Sequence, residues 1–141
     1  MTPSLPDILV GNFLCLADPG PPEQQGEFMA GKVGLVALLS LLAAQETERG
    51  AAARVAENAA IRATLDAAAG AYRLDVAGLP STEDLTFTAL DHVNAALRKA
   101  LIGLHEAVEA RGDIVRHHAI LRLYAQMAEW RRLDLPPLPA R

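Results

Sequence analysis

The chain holds one cysteine, Cys15, so an internal disulfide is excluded. Phe13, Leu14 and Leu16 surround it and offer no base or positive charge, so Cys15 reads as a buried, inert thiol. Lysine is almost missing: Lys32 and Lys99 are the only two, and no basic stripe forms anywhere. Phosphate-backbone binding therefore has no electrostatic footprint, and a nucleic-acid partner is not expected. No Lys or Arg precedes Lys32, so the charged start of a secretion signal is missing and cytoplasmic residence is the expectation. The strongly apolar run, residues 28–44, is 17 residues long and contains Lys32 and Ser40. A membrane span needs about 20 mostly apolar residues, so no membrane helix is expected. The run Gly31-Lys32-Val33-Gly34 lacks the spacing of a phosphate loop. No Ser/His/Asp order, paired-carboxylate motif or glycine-rich nucleotide fingerprint appears, so no cofactor is expected.

Aromatic residues make up 4% of the chain and β-branched residues are few, while alanine and leucine, the strongest helix formers, dominate. The expected class is all-α. At 141 residues the chain reads as one domain, long enough to bury roughly two-thirds of its unfolded surface. Its net charge of −4 is spread among mixed signs. Arginine in place of lysine, with abundant Ala, Leu and Pro, matches the codon usage of a GC-rich bacterial genome.

The organisation predicted is an up-down bundle of four long helices with a short N-terminal helix. Residues 1–22 form an N-terminal segment with a short helix at about 6–17, capped by Ser4 and packed on the bundle. Residues 18–22 are a Pro/Gly break. Residues 23–133 form the bundle, with helices expected at about 23–48, 51–71, 82–111 and 114–133. The first is apolar on nearly every face over 28–44, which predicts a central helix surrounded by the others. Gly50 is the expected stop between the first two helices and makes them an antiparallel hairpin. Gly26, Ala30 and Gly34 recur every four residues and predict a groove where a neighbouring backbone comes close. Ser81-Thr82-Glu83-Asp84 resembles a capping box for the third helix, and Asp113 caps the fourth. Residues 134–141 are a Pro-rich tail suited to polyproline II, with a PxxP match at 136–141.

On the third helix Leu85, Ala89, Val93, Ala96, Leu97, Ala100, Leu104, Ala107 and Val108 form one apolar stripe, and Ile102 points the opposite way. The last helix carries an apolar arc centred on Ile120, Tyr124 and Met127, with Leu121 and Ala128 on one flank and Leu123 and Trp130 on the other. An arc this wide is touched from two sides, and Met and Trp are enriched in interface cores. Leu123, Met127, Trp130 and Ile102 are therefore the candidate interface.

Arg54 and Asn58 share the face of Ile61 and Leu65, which suits buried polar groups that set helix register; they are also, with His117 and Tyr124, the candidate polar groups of a ligand pocket. His92, His105, His117 and His118 supply imidazoles on the last two helices. At about 100° per residue His92 and His105 lie some 140° apart. His105 falls level with His118, and Glu106 and Glu109 point away from the apolar stripe. On these positions the histidines do not converge, and no metal site is expected.

The functional expectation is a non-catalytic protein that self-associates, as a homodimer, or serves as an accessory subunit to a protein partner. The alternatives are a small-molecule-binding bundle and a metal-dependent enzyme using the histidines of the last two helices.

Overall fold

The structure, a computed structural model, describes residues 4, 5, 7–9, 11, 12 and 25–135, and for residues 25 and 27–30 the backbone alone. Every regular element among them is helical, as the composition predicts. A very short helical segment at residues 5, 7–9, 11 and 12 precedes three long helices: α1 (Gln25–Tyr72), α2 (Phe87–Ala110) and α3 (Ile114–Trp130). The Cys15 environment, the 18–22 break, residues 13–17 of the short helix and the 136–141 tail lie outside the described residues.

The four expected long helices are three, because the described residues of the first, 25–48, and those of the second, 51–71, belong to one continuous helix. Gly50 does not stop it. A helix ends at glycine when the backbone turns into the left-handed region, and among the described glycines only Gly112 does so, at φ 66°. Helix-favouring alanines continue past Gly50, no proline follows, and its carbonyl accepts a hydrogen bond from Arg54 Nη1 at 3.0 Å.

The chain divides into two compact units, residues 1–49 with 133–141 and residues 50–132. In the first, Ser4 and Asp7 cap the N-terminal segment: Asp7 N donates to Ser4 Oγ and Ser4 N to Asp7 Oδ2, both at 3.4 Å. Ile8 is buried there, as are Ala43 and Glu46. Gln45 is paired twice with one residue, donating to Asp134 O at 2.8 Å and accepting from Asp134 N at 2.7 Å, while Arg49 bonds the Asp134 carboxylate at 3.3 Å. Residues 31–44, the part of the 28–44 run whose side chains are described, are not the surrounded core expected from their apolarity, because the hairpin partner is the continuation of the same helix. Val33 is 60% exposed, and Leu35 and Leu41 are exposed too. In the expected Gly26/Ala30/Gly34 groove, a Cβ added at Gly26 or Gly34 meets nothing within 4 Å among the described residues.

The second unit holds the hydrophobic core. Ile61, Leu65 and Ala68 of α1, Val93, Leu97, Leu101, Leu104 and Val108 of α2, and Ile120 and Met127 of α3 bury one another. Each fully buried Leu or Ile among them contributes roughly 1.5–3 kcal/mol. Val93, Leu97, Leu104 and Val108 of the predicted stripe are buried, but Leu85 precedes α2 and is 64% exposed, while Leu90 and Leu101 join the buried face; Ile102 points outward as expected, 54% exposed. The topology departs from up-down. Contacts between α1 and α2 keep a near-constant offset: Arg54 with Asp91, Glu57 with Asn94, and Ala71 with Arg111, at separations of 37, 37 and 40 residues. A constant offset means the two helices run parallel. Helix α3 then runs antiparallel to α2, since His105 meets His117 while Asp91 lies near Arg131.

A parallel pair needs a connection long enough to return, and residues 73–86 supply it. Arg62 gathers this return segment through the carbonyls of Leu79 at 3.2 Å and Pro80 at 2.6 Å. The expected capping box at 81–84 is replaced by a relay of short side-chain turns. Thr82 Oγ1 accepts from Asp84 N, and Asp84 Oδ1 accepts from Thr86 N. Thr86 Oγ1 then accepts from Ala89 N as the true N-cap. Such local bonds compete with helix formation and delay its start to Phe87. Asp113 caps α3 as predicted, accepting from Arg116 N at 3.1 Å.

Two substitutions test this arrangement. Gly34→Leu is tolerated without loss of helicity by circular dichroism, since no described residue lies within 4 Å of the new Cβ. Gly103→Ala, exposed in mid-helix with nothing within 4 Å of the new Cβ, raises stability in urea by about 0.5–1 kcal/mol.

Candidate functional site

Two polar assemblies are built into the second unit. The first is a buried network centred on Glu57, which is 0% exposed. Its Oε1 accepts from Asn94 Nδ2 at 2.9 Å and its Oε2 from Arg131 Nε. Asn94 Nδ2 also donates to Asn58 Oδ1 at 2.8 Å, and Asn58 Nδ2 to the Leu90 carbonyl at 3.1 Å. Arg54, buried beside them, bonds Asp91 at 2.8 Å and lies 4.4 Å from the centre of the Phe87 ring. Arg54 and Asn58 are thus spent on holding helices together and line neither pocket described below. Their partners Glu57, Asp91, Asn94 and Arg131 are missing from the sequence-derived set. A signal was present: Glu57 and Asn94 lie on the apolar stripes of Ile61 and Leu97.

The second assembly surrounds the α2–α3 turn. Tyr72 Oη donates to Asp113 Oδ2 at 2.9 Å, and Arg116 Nη1 bonds the same oxygen at 2.8 Å. The guanidinium of Arg111 stacks over the Tyr72 ring at 4.3 Å. Hydrogen bonds from Arg116 hold the Asp113 carboxyl below its usual range, while burial and the Asp113 bond push the Tyr72 phenol up.

Just above this turn three ligand-type atoms converge. His105 Nε2 and His117 Nδ1 are 3.0 Å apart, and Glu109 Oε1 lies 3.7 Å from the first and 3.6 Å from the second. The sequence expectation that the histidines do not meet is therefore corrected. The partner of His105 is His117, not His118, which sits one residue on and is turned outward by about 100°. Glu109 does lie on the polar flank, but one turn beyond His105 its carboxylate reaches the ring pair. His92 and His118 are exposed. The Tyr124 ring packs 5.5 Å from His105; burial raises its phenol pKa, with Arg98 opposing and Glu109 adding to the shift.

A pocket of about 230 Å³ opens beside this cluster, lined by Val108, Glu109, Gly112, Asp113, Ile114 and His117. A second, of about 310 Å³, lies where the small side chains of Ala63, Ala67 and Ala119 leave space beside Leu104 and Ile120, with Arg116 at its edge. His117 is the one pocket residue of the sequence-derived set that lines either of them.

The candidate interface residues are mostly internal. Met127 is 5% exposed within the core, and Leu123, Tyr124 and Trp130 pack against it. The apolar arc of α3 is touched from two sides, but the Leu123 and Trp130 flank is the inner one. The outward flank carries Leu121 and Ala128. No helix among the described residues is long and apolar enough to cross a membrane. No protein-family model, curated protein or solved structure matches the chain.

Removing the Glu57 carboxylate takes the hydrogen-bond acceptor from Arg131 Nε and leaves the guanidinium only the longer 3.9 Å pairing with Asp91, so Glu57→Ala costs about 3 kcal/mol in urea denaturation. Asp113 gives a pH-dependent contribution. A carboxylate with a lowered folded pKa stabilises above its unfolded value of about 3.9 and loses that effect as pH falls through the folded value. The stability gap between wild type and Asp113→Asn, present at pH 7, therefore closes progressively below about pH 4 in thermal melts.

Proposed function

We propose that the protein is a non-catalytic interaction protein that pairs with a second copy of itself along the outward face of α3. One observation carries this reading. Ile114, His118, Leu121, Ala125 and Ala128 are all exposed and succeed one another at spacings of 4, 3, 4 and 3 residues. That is the seam repeat by which two helices pack side chains into each other's gaps. Ile114 is 62% exposed and Leu121 44%, so none of the described residues covers them.

A second copy is the occupant that the charges favour. Exposed Arg122 and Glu129 flank the seam seven residues apart. In an antiparallel pair centred near Ala125, Arg122 of each copy falls beside Glu129 of the other, and Leu121 packs over the small Ala128. The geometry is isologous, as two-fold dimers require. A single short helix buries less than a standard interface, so the dimer is weak and dissociates in roughly the micromolar range. Ile102, outward on α2, is a further exposed apolar group that this pairing does not use.

Light scattering across a dilution series tests the proposal. The wild type is dimeric at about 100 µM and becomes monomeric on dilution. Leu121→Glu and Ala125→Glu, both at exposed positions, stay folded and monomeric throughout. Leu123→Glu, on the inner flank, loses stability instead. A wild type that is monomeric at every concentration overturns the reading.

A further inference from the structure

We propose that His105, Glu109 and His117 bind one first-row divalent metal ion of the zinc type. The three ligand atoms form a triangle with sides of 3.0, 3.7 and 3.6 Å. The centre of such a triangle is about 2.0 Å from every corner, the length of a zinc bond to imidazole nitrogen or carboxylate oxygen. Two imidazoles and one carboxylate are a donor set that borderline ions of this series accept.

Hydrogen bonding alone leaves the arrangement incomplete. The ring centroids are 5.1 Å apart against 3.0 Å for the facing nitrogens, so the rings meet nearly head-on and share one proton. Glu109 Oε1 is equidistant from both nitrogens to within 0.1 Å, yet beyond hydrogen-bond reach of either. It is aimed at the space between them. The proton shared between the facing nitrogens moves through solvent to the far nitrogen of its own ring, which keeps both imidazoles neutral, and the ion takes its place as both rings tilt toward Glu109. Two neutral imidazoles and one carboxylate offset half the charge of a divalent ion. The fourth coordination position faces the pocket of about 230 Å³ that Glu109 and His117 line, where water or a small anion completes the shell. His105 and Glu109 come from α2 and His117 from α3, so the ion clamps the two helices across their turn.

Zinc titrated into the chelator-treated full-length chain tests the site by calorimetry and thermal melting. One equivalent per chain binds and raises Tm, because a ligand that binds only the folded state stabilises it. Cobalt in place of zinc gives the intense visible bands of a four-coordinate ion. Glu109→Gln, at an exposed position, and His117→Gln each weaken binding by at least about tenfold. His92→Ala leaves it unchanged, and circular dichroism of each metal-free variant verifies its fold. Stoichiometric binding that survives Glu109→Gln and His117→Gln unaltered overturns the proposal, as does the absence of binding by the wild type. One ion per two chains, with doubled mass in light scattering, places the ligands across copies and likewise overturns it.

Discussion

One buried carboxylate sets the alignment on which the second unit depends. Glu57 is fully enclosed, and an enclosed charge costs several kcal/mol unless its oxygens are satisfied. Both are: Asn94 of α2 takes one, and Arg131, just past the end of α3, takes the other. Sliding α1 by one turn, about 5.4 Å, strips both partners at once. Sliding it along an apolar seam of leucines and alanines is far cheaper, since apolar contacts are non-directional. The core supplies the bulk of the stability, and the Glu57 network selects one register among the alternatives.

That register decides what else meets. With α1 parallel to α2, its C-terminal end arrives at the α2–α3 turn, where Tyr72 bonds Asp113. Asp113 caps α3 and Gly112 makes the reversal, so the first turns of α3 are held against the last turns of α2. His105 and His117 then come level. At the far end of the hairpin Arg131 closes the network on Glu57. The helix between these anchors shows three sides: Ile120 and Met127 to the core, His117 to the cluster on α2, and Ile114, Leu121, Ala125 and Ala128 to solvent. The histidine cluster and the exposed seam adjoin at Ile114, which begins the seam and lines the pocket beside His117.

Much of the candidate site was legible one helix at a time. Asp113 as a cap, Ile102 as outward-facing and the burial of Val93, Leu97, Leu104 and Val108 follow from spacing, because a helix of fixed pitch orients each side chain by its position alone. The width of the apolar arc on α3 was equally legible. Which flank faces inward was not, because Leu123 with Trp130 and Leu121 with Ala128 are equivalent until the helix is docked. The histidine pairing failed for a similar reason. His117 and His118 differ by one residue, and only the tight turn through Gly112 determines which of them faces His105.

Composition and periodicity by themselves determined the all-α class, the burial of Val93, Leu97, Leu104 and Val108 on α2, the Ser4 and Asp113 caps and the chemistry available at each position. These are local consequences of side-chain entropy, pitch and backbone hydrogen bonding, complete within a few turns of chain. The tertiary structure alone decided that α1 runs unbroken through Gly50, that α1 and α2 are parallel, and that Glu57, Asn94 and Arg131 meet. A glycine sets no direction until its φ is chosen, and a 14-residue connection such as 73–86 can lead either way. What selects the outcome is the mutual satisfaction of buried groups 37 and 74 residues apart in the chain, a condition that no local pattern contains.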